Sequence, residues 1–227
     1  LLDIAGKPML HHVVERAQSS KADAVYIATD DERIRDSCQA LGDKVIMTST
    51  EHSSGTDRIE EVARLLKLPD DAIVVNVKGD EPMIPPEVIN QVANDLATSQ
   101  DAQICTFYGD FNGQAEVLNA NNVKIVTDEQ GYALYFSRAQ IPYPRDGHLA
   151  DSYLGYKRHV GIYAYRSKVL HDFVAWPQSH LEKTEHLEQL RALSHKVKIH
   201  TQKACAEIPA GVDTPEELEK VMTLLSR

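Results

Sequence analysis

Cysteine is scarce in this 227-residue chain. Cys38, Cys105 and Cys205 are odd in number, far apart and form no C-x-x-C pair. A disulfide framework and a structural zinc site therefore find no support, and a reducing, cytoplasmic compartment is expected. Long hydrophobic runs are missing too. The AIVV stretch at 72–75 is strand-sized, well short of the roughly 18 residues a membrane span needs, and no stretch reads as a signal peptide. Positive charge is the minority sign, with 24 Lys and Arg against 34 Asp and Glu, a formal net charge of −10. Such a chain is ill suited to gripping nucleic acid by bulk electrostatics, so neither nucleic acid nor membrane is an expected partner. A small anionic substrate stays compatible, because local basic clusters and metal ions override net charge. The Lys-bearing P-loop pattern, H-E-x-x-H spacing and the G-x-S-x-G nucleophile elbow are also absent, and the ten histidines form no ligand constellation.

Hydrophobic residues make up 42% and charged residues 26%, the balance of a folded soluble domain rather than a disordered chain. The first half alternates short apolar strands with amphipathic stripes at i, i+3, i+4, i+7: Leu10-Val13-Val14-Ala17, Ile59-Val62-Ala63-Leu66 and Ile89-Val92-Ala93-Leu96. Ile34, Cys38 and Leu41 form a sparser helical stripe between the first two. Strands are predicted at 24–28, 44–47 and 72–77, the last as a central parallel strand. The second half is β-rich at 104–108, 123–126, 132–136 and 160–165. Helices are expected near 167–174 and 181–192, a strand near 197–201 and a closing helix through Leu218, Val221, Met222 and Leu225. This order predicts one α/β domain over 1–227, a mostly parallel central sheet with helices on both faces. Ligands in such sheets bind beyond the carboxyl ends of strands.

Those strand ends carry the polar residues. Asn76-Val77-Lys78-Gly79-Asp80-Glu81-Pro82 leads from a buried strand into two carboxylates. Asp80 suits Mg²⁺ shared with a phosphate and equally suits a helix cap. Asp213, in Gly-Val-Asp-Thr-Pro-Glu at 211–216, reads first as a cap with Glu216 three residues on, a role that can coexist with metal binding. The loop 51–58 places small residues and N–H groups before a helix, suited to an anion or a base edge or simply to solvent. Arg138 and Arg145 follow β-like segments and suit carboxylate or phosphate, although surface arginines are usually solvated. Glu182, Glu185, Glu188 and Gln189 share one face of the 181–192 helix, able to meet sugar hydroxyls or merely water.

Taken together, IAGKPM (4–9), ATDDERI (28–34), HSSGTDR (52–58), VNVKGDEPMIP (75–85), NNVKIV (121–126), ALYFSRAQIPYPRD (133–146), RHVGIYAYR (158–166), LEKTEHLEQLR (181–191) and PAGVDTPEEL (209–218) closely resemble the CMP-KDO synthetases, the 3-deoxy-manno-octulosonate (KDO) cytidylyltransferases. The match spans almost the whole chain, in family order. The resemblance implies a nucleotide-diphospho-sugar transferase-like, Rossmann-related fold. Residues 1–100 would form the nucleotide-binding portion, and 101–227 a portion for sugar-acid binding and dimerisation. It implies transfer of CMP from CTP to KDO for lipopolysaccharide synthesis, with Mg²⁺ on Asp80 and Asp213 as the catalytic metal ligands. His52, Ser54 and Arg58 answer to the cytidine side. Lys78, Arg138, Arg145, His159, Tyr163, Glu188 and Gln189 answer to the sugar side, with Arg138 or Arg145 on the carboxylate. No covalent enzyme intermediate is implied, and a homodimer is. Lys78 stands where the family commonly has Gln, and Asp57 where it commonly has Glu. The resemblance places a first strand and a phosphate loop upstream of Leu1, with GKP at 6–8 answering to the second GKP of the family's opening. Kindred readings are a cytidylyltransferase for an 8-amino analogue of KDO or for sialic acid, and a non-catalytic nucleotide-binding relative.

Overall fold

Pro8 fixes its own φ at −55° and launches α1 (Met9–Gln18), which buries Val13, Val14 and Ala17. Helix α2 (Glu32–Ala40) starts where the Asp31 carboxylate accepts the Arg33 N–H at 2.8 Å. The Ser54 hydroxyl does the same for α3 (Gly55–Leu65), accepting the Asp57 N–H at 3.2 Å. Pro85 and Pro86 open α4 (Pro86–Thr98). Thus the four expected stripes of the first half are helices, each started by the residue chemistry that precedes it. The computed structural model describes every residue except Leu1, Ala5, Ser53, 146–152, Ala210, Asp213, Ser226 and Arg227.

The strands between them are short. A hairpin pairs β1 (Asp3–Ile4) with β2 (Lys7–Pro8), and β3 (Ile27–Thr29) runs parallel to β4 (Val45–Met47). The remaining strands form one six-stranded sheet. They are β5 (Ile73–Asn76), β6 (Ile104–Gly109), β7 (Lys124–Thr127), β8 (Ala133–Ser137), β9 (Lys157–Arg166) and β10 (Ile199–Lys203). The short helix α5 (Gln114–Leu118) follows β6, and α6 (Ser167–Ala175), α7 (His180–Glu185), α8 (Gln189–Ser194) and α9 (Pro215–Leu225) follow β9 and β10 in turn. Among the described residues no helix is long and apolar enough to cross a membrane.

The α/β class with helices on both faces stands, and the strand directions are mixed. β10 and β6 are parallel, whereas β9 is antiparallel to β5, β6 and β7, and β7 to β8. The predicted central parallel strand, β5, therefore pairs antiparallel with β9. A continuous apolar run reports burial on both faces, not strand direction. Alternate sheet residues supply two cores. Ile104, Ile125, Phe136, Tyr165 and Ile199 join α6 and α8 in one, while Cys105, Phe107, Ile162 and Ala164 meet α4 in the other.

Strand β9 is irregular in two ways. Opposite β6 it is flanked by β5 along Tyr163–Arg166 and by β7 only at Lys157 and Arg158. The sheet therefore splits over residues 159–162. At the same place the β6·β9 register jumps from Thr106↔Tyr163 to Phe107↔Val160, a bulge of the kind that re-aims side chains beside a site.

Two expectations need correction. The single helix at 181–192 is two helices, α7 and α8, broken at His186 with φ 52°. The break turns Leu187 into the core and sends the carboxylates of the expected polar face in different directions. The cap of α9 is one residue later than predicted. Thr214 Oγ1 accepts the Glu217 N–H, and Glu217 returns the contact to the Thr214 N–H at 2.9 Å. The sequence pattern reads equally well in either register, and Asp213 itself lies outside the described residues.

Candidate active site

The loop after β4 and the start of α3 build one wall. Arg58, one turn into α3, reaches back and donates to Asp30 Oδ2 at 2.8 Å and to the Thr48 hydroxyl. This guanidinium holds the Asp30 carboxyl below its usual range. His52 Nε2 meets Glu61 Oε2 at 2.6 Å, and Glu61 also accepts the Ser49 N–H at 2.8 Å. That backbone bond and then the imidazole lower the Glu61 pKa. The loop is thus fastened at both ends to α3. A cavity of about 460 Å³ lies beside it, lined by Glu51, His52, Asp57, Glu60, Trp176 and Arg191 among others.

Past the end of β5 the chain carries Lys78, Gly79, Asp80 and Glu81. A Cβ on Gly79 would lie 3.2 Å from Leu10 Cδ1, so the Leu10 side chain on α1 packs closely against this turn. Gly211 and Val212 pack onto Asp80. A Cβ at 211 would sit 3.2 Å from the Asp80 carbonyl oxygen and 3.5 Å from Oδ2, and the Val212 N–H donates to that carbonyl at 2.8 Å. Asp80 Oδ1 is buried and has no hydrogen-bond partner. Beside it, burial pushes Glu81 up to about 7, against the Lys78 charge and with that of Asp80.

Where the sheet splits, a cavity of about 350 Å³ opens over β9. Four of the sequence-predicted sugar-side residues, Lys78, His159, Tyr163 and Gln189, line it together. Thr106 Oγ1 lies 3.1 Å from His159 Nε2 and 2.8 Å from the Ile162 carbonyl, so the bulge is hydrogen-bonded to the ring it re-aims. Phe136 packs edge-on to His159 at 5.0 Å between centroids, and Tyr163 lies 5.5 Å away on the other side. Burial, then the Lys78 charge, lowers His159 to about 3. Burial also raises the Tyr163 phenol well above its usual value. Both rings are therefore neutral hydrogen-bonding groups at neutral pH.

The remaining predicted residues are placed differently. Arg138 donates its Nε to the Glu185 carbonyl at 2.7 Å, its Nη1 to Ala120 O at 3.1 Å and its Nη2 to His186 O at 3.4 Å. Arg145 is exposed and does not line either cavity. Glu188 Oε2 accepts the Thr56 hydroxyl at 2.8 Å, and its Oε1 is buried without a partner. Glu182 and Glu185 face inward. Glu182 forms a buried double hydrogen bond with Arg191, and Glu185 accepts from Ser137 Oγ and the Arg138 N–H.

Asn121, Asn122 and Arg158 also line the smaller cavity, and residue-type reasoning passed over them. The NNVKIV and RHVGIYAYR blocks contain them, but strand alternation would set Arg158 and His159 on opposite faces. Both nonetheless line the cavity, beside the register shift at Thr106/Phe107 that interrupts the alternation of β9. The fold also gathers Asp95, Cys105 and His200, with ligand-type atoms within 4.8 Å of one another. No sequence spacing announces this group. Its carboxylate is already matched by His200 Nδ1 at 2.9 Å and Gln202 Nε2 at 2.7 Å, which latches β10 to α4.

A mixed α/β sheet with a polar crevice at its strand ends defines a nucleotide-handling class, and a family model described as cytidylyltransferase matches residues 1–199. A 3-deoxy-manno-octulosonate cytidylyltransferase of Cellvibrio japonicus is 53% identical over 232 residues, covering 99% of this chain and 91% of its own length. A solved CMP:2-keto-3-deoxy-manno-octonic acid synthetase complexed with CTP superposes with a TM-score of 0.90 at 42% identity, over 100% of this chain and 90% of that one. The 4-diphosphocytidyl-2C-methyl-D-erythritol synthase of Anaerococcus prevotii shares the fold at a TM-score of 0.63 and 13% identity, over 100% and 92% of the two chains. The chain belongs to the 3-deoxy-manno-octulosonate cytidylyltransferase family and is a cytidylyltransferase.

Proposed function

We propose that this chain transfers CMP from CTP to the anomeric hydroxyl of KDO, releasing pyrophosphate, in support of lipopolysaccharide synthesis. One observation carries the reading. Beyond β5 a carboxylate with a buried, unpartnered oxygen, Asp80 Oδ1, stands two residues from Lys78, which lines the cavity with His159, Tyr163 and Gln189. Family membership supports the choice of substrates.

The residues present fit Mg²⁺. A hard carboxylate oxygen, buried and lacking any protein donor, is the kind of ligand that ion takes together with phosphate oxygens. Asp80 would hold it with Asp213, whose neighbours Gly211 and Val212 lie against Asp80. When bound, the ion supplies positive charge that offsets the phosphate charge and lowers the pKa of the attacking hydroxyl.

The chain's own residues do the rest. His52, Ser54 and Arg58 present the α3 start to the cytidine, with Arg58 oriented by Asp30 and Thr48. Neutral His159 and un-ionised Tyr163 orient sugar hydroxyls without adding charge, and Gln189 and the amides of Asn121 and Asn122 supply further donors and acceptors. The reading also takes the enzyme to be a cytoplasmic homodimer.

Pyrophosphate release from CTP and Mg²⁺, with and without KDO, tests it. KDO-dependent release is expected. Release only with sialic acid or the 8-amino analogue would replace the substrate. CTP binding without release in any mixture would leave a non-catalytic nucleotide-binding protein.

A further inference from the structure

Asp95, Cys105 and His200 line neither cavity, and the fold brings them together from three elements. Asp95 lies on α4, Cys105 on β6 and His200 on β10. His200 stands directly opposite Cys105 in the parallel β10·β6 register, so both side chains leave the same face of the sheet. That face packs on α4, where the Asp95 side chain is 1% exposed and the His200 ring 14%.

The imidazole is the informative member. Its Nε2 lies 3.2 Å from the Gln130 carbonyl oxygen, which can only accept, so this nitrogen carries a hydrogen. A neutral ring then has a lone pair on Nδ1. Yet Nδ1 faces both Asp95 oxygens, at 2.9 and 3.0 Å, and a lone pair against a carboxylate is repulsive. Something positive belongs between them. A second ring proton would serve that pair but gives the Cys105 sulfur, held at the same point, no part. A metal ion uses all three.

The surroundings are those of a ligand set. A metal-bound His typically donates its other N–H to a carbonyl or carboxylate, as Nε2 does here. Gln202 Nε2 steadies Asp95 Oδ1 at 2.7 Å. Tyr132 packs edge-on to the ring at 5.1 Å between centroids. Gly131, at φ 88°, lets the chain pass close beside it, since a Cβ there would lie 2.9 Å from Nε2. One nitrogen, one sulfur and one carboxylate oxygen suit Zn²⁺. Ser99 Oγ, 3.4 Å from Asp95 Oδ1 and 3.5 Å from His200 Nδ1, or a water would complete the set. Burial, then the Asp95 charge, holds the Cys105 thiol above its usual range, so the ion must displace the thiol proton to solvent.

We infer that Asp95, Cys105 and His200 form a structural site for Zn²⁺ or a cation of similar softness, tying β6 and β10 to α4. The site is separate from Asp80 and does not depend on the transferase reading.

Titration of the chelator-treated full chain with Co²⁺, in excess Mg²⁺ to occupy hard oxygen sites, tests it. One equivalent per chain should bind, with a sulfur-to-cobalt charge-transfer band and a raised urea midpoint, and Zn²⁺ should displace it. Cys205→Ser should keep the band. Cys105→Ala should abolish it, and His200→Gln should weaken Co²⁺ binding by more than the roughly 10- to 100-fold that an outer contact is worth. Gln202→Ala, which removes such an outer contact, should fall within that range. His200→Gln, at the least buried position, carries the test if Cys105→Ala does not fold. No band and no rise in midpoint, or a band lost with Cys205 and kept without Cys105, overturns the site and leaves a latch closed by a proton.

Discussion

Two regions of this molecule treat buried charge in opposite ways. In the scaffold formed by β7, β8, α7 and α8, the buried charges of Lys124, Glu182 and Arg191 all have partners. Glu182 and Arg191 are each 5% exposed and joined at 2.6 and 2.9 Å. The fully buried Lys124 ammonium donates to the carbonyls of Asn119, Asn122 and Arg138 at 3.1, 2.7 and 2.6 Å. Around the crevice, Asp80 Oδ1, Arg158 Nε and Glu188 Oε1 are buried and unpartnered. Proteins seldom leave such atoms unmatched; Arg158 lines the cavity where the sheet splits, Asp80 follows the end of β5, and Thr201 Oγ1 on β10 is a further such atom away from the crevice. The comparison predicts a division of effects. Scaffold substitutions should act first on stability, and crevice substitutions first on activity.

The largest break in that division is expected at Arg191→Leu. It leaves the Glu182 carboxylate buried without its partner, and removing one member of such a pair costs about 3–5 kcal/mol. Urea unfolding should show that loss. Surviving folded protein should keep the KM for KDO of the unmodified enzyme, because Arg191 lines the cavity beside the His52 loop and not the one over β9. On the crevice side Asp80→Asn keeps the shape and removes the ionised oxygen. A fall of about 10²–10³ in kcat is expected, as for loss of a group aimed at developing charge, with stability unchanged or raised. A large loss of stability in Asp80→Asn would erase the distinction between the two regions.

The legibility of the sequence follows the same line. Elements set by local signals were readable: stripes at helical spacing, Pro8 before α1, Ser54 before α3 and the apolar run of β5. Family resemblance, not local pattern, drew attention to the GDEP and RHVGIYAYR blocks, and His159 and Tyr163 of the second line one cavity. What depended on pairing across the fold was not. Nothing in Ala72–Val77 says that its partner β9 runs the other way, and no periodicity reveals the bulge at Thr106 that brings His159 to the cavity. The 181–192 segment looks like one helix because its break depends on burying Leu187 and on Glu185 meeting Ser137, 48 positions away in the chain. The contacts of Arg138 are hidden for the same reason. Its acceptors are carbonyls, which carry no sequence signature.

His159 tests whether the crevice also stores instability. Its folded pKa of about 3 lies below the unfolded value near 6.5. Between those values the unfolded chain binds the extra proton and the folded one does not, so stability rises with pH through that window. The contribution is complete above about 6.5 and is lost as pH falls towards 3, by at most about 1.4 kcal/mol per pH unit. Urea midpoints between pH 7 and 4.5 should fall more steeply for the unmodified enzyme than for His159→Gln. Parallel slopes would show that burying the His159 ring adds no instability to the crevice.

Lys78 should give the smallest effect, and it sharpens the comparison most. Its ammonium is exposed at the cavity mouth, unlike that of Lys124, which is sealed in the scaffold. An exposed charge acts through screened attraction worth about 0–1 kcal/mol, so Lys78→Gln should raise the KM for KDO only about 2- to 5-fold. Because it acts by charge, the effect should shrink as salt shortens the Debye length. It should also have a sign that depends on the substrate. The same ammonium repels an 8-amino sugar acid, so Lys78→Gln should weaken KDO while leaving the amino analogue unchanged or improved. Removing Lys78 should also ease the depression of the His159 pKa, of which its charge is the second cause. Equal losses for the two sugars, insensitive to salt, would show that Lys78 works by hydrogen bonding or packing rather than by its charge.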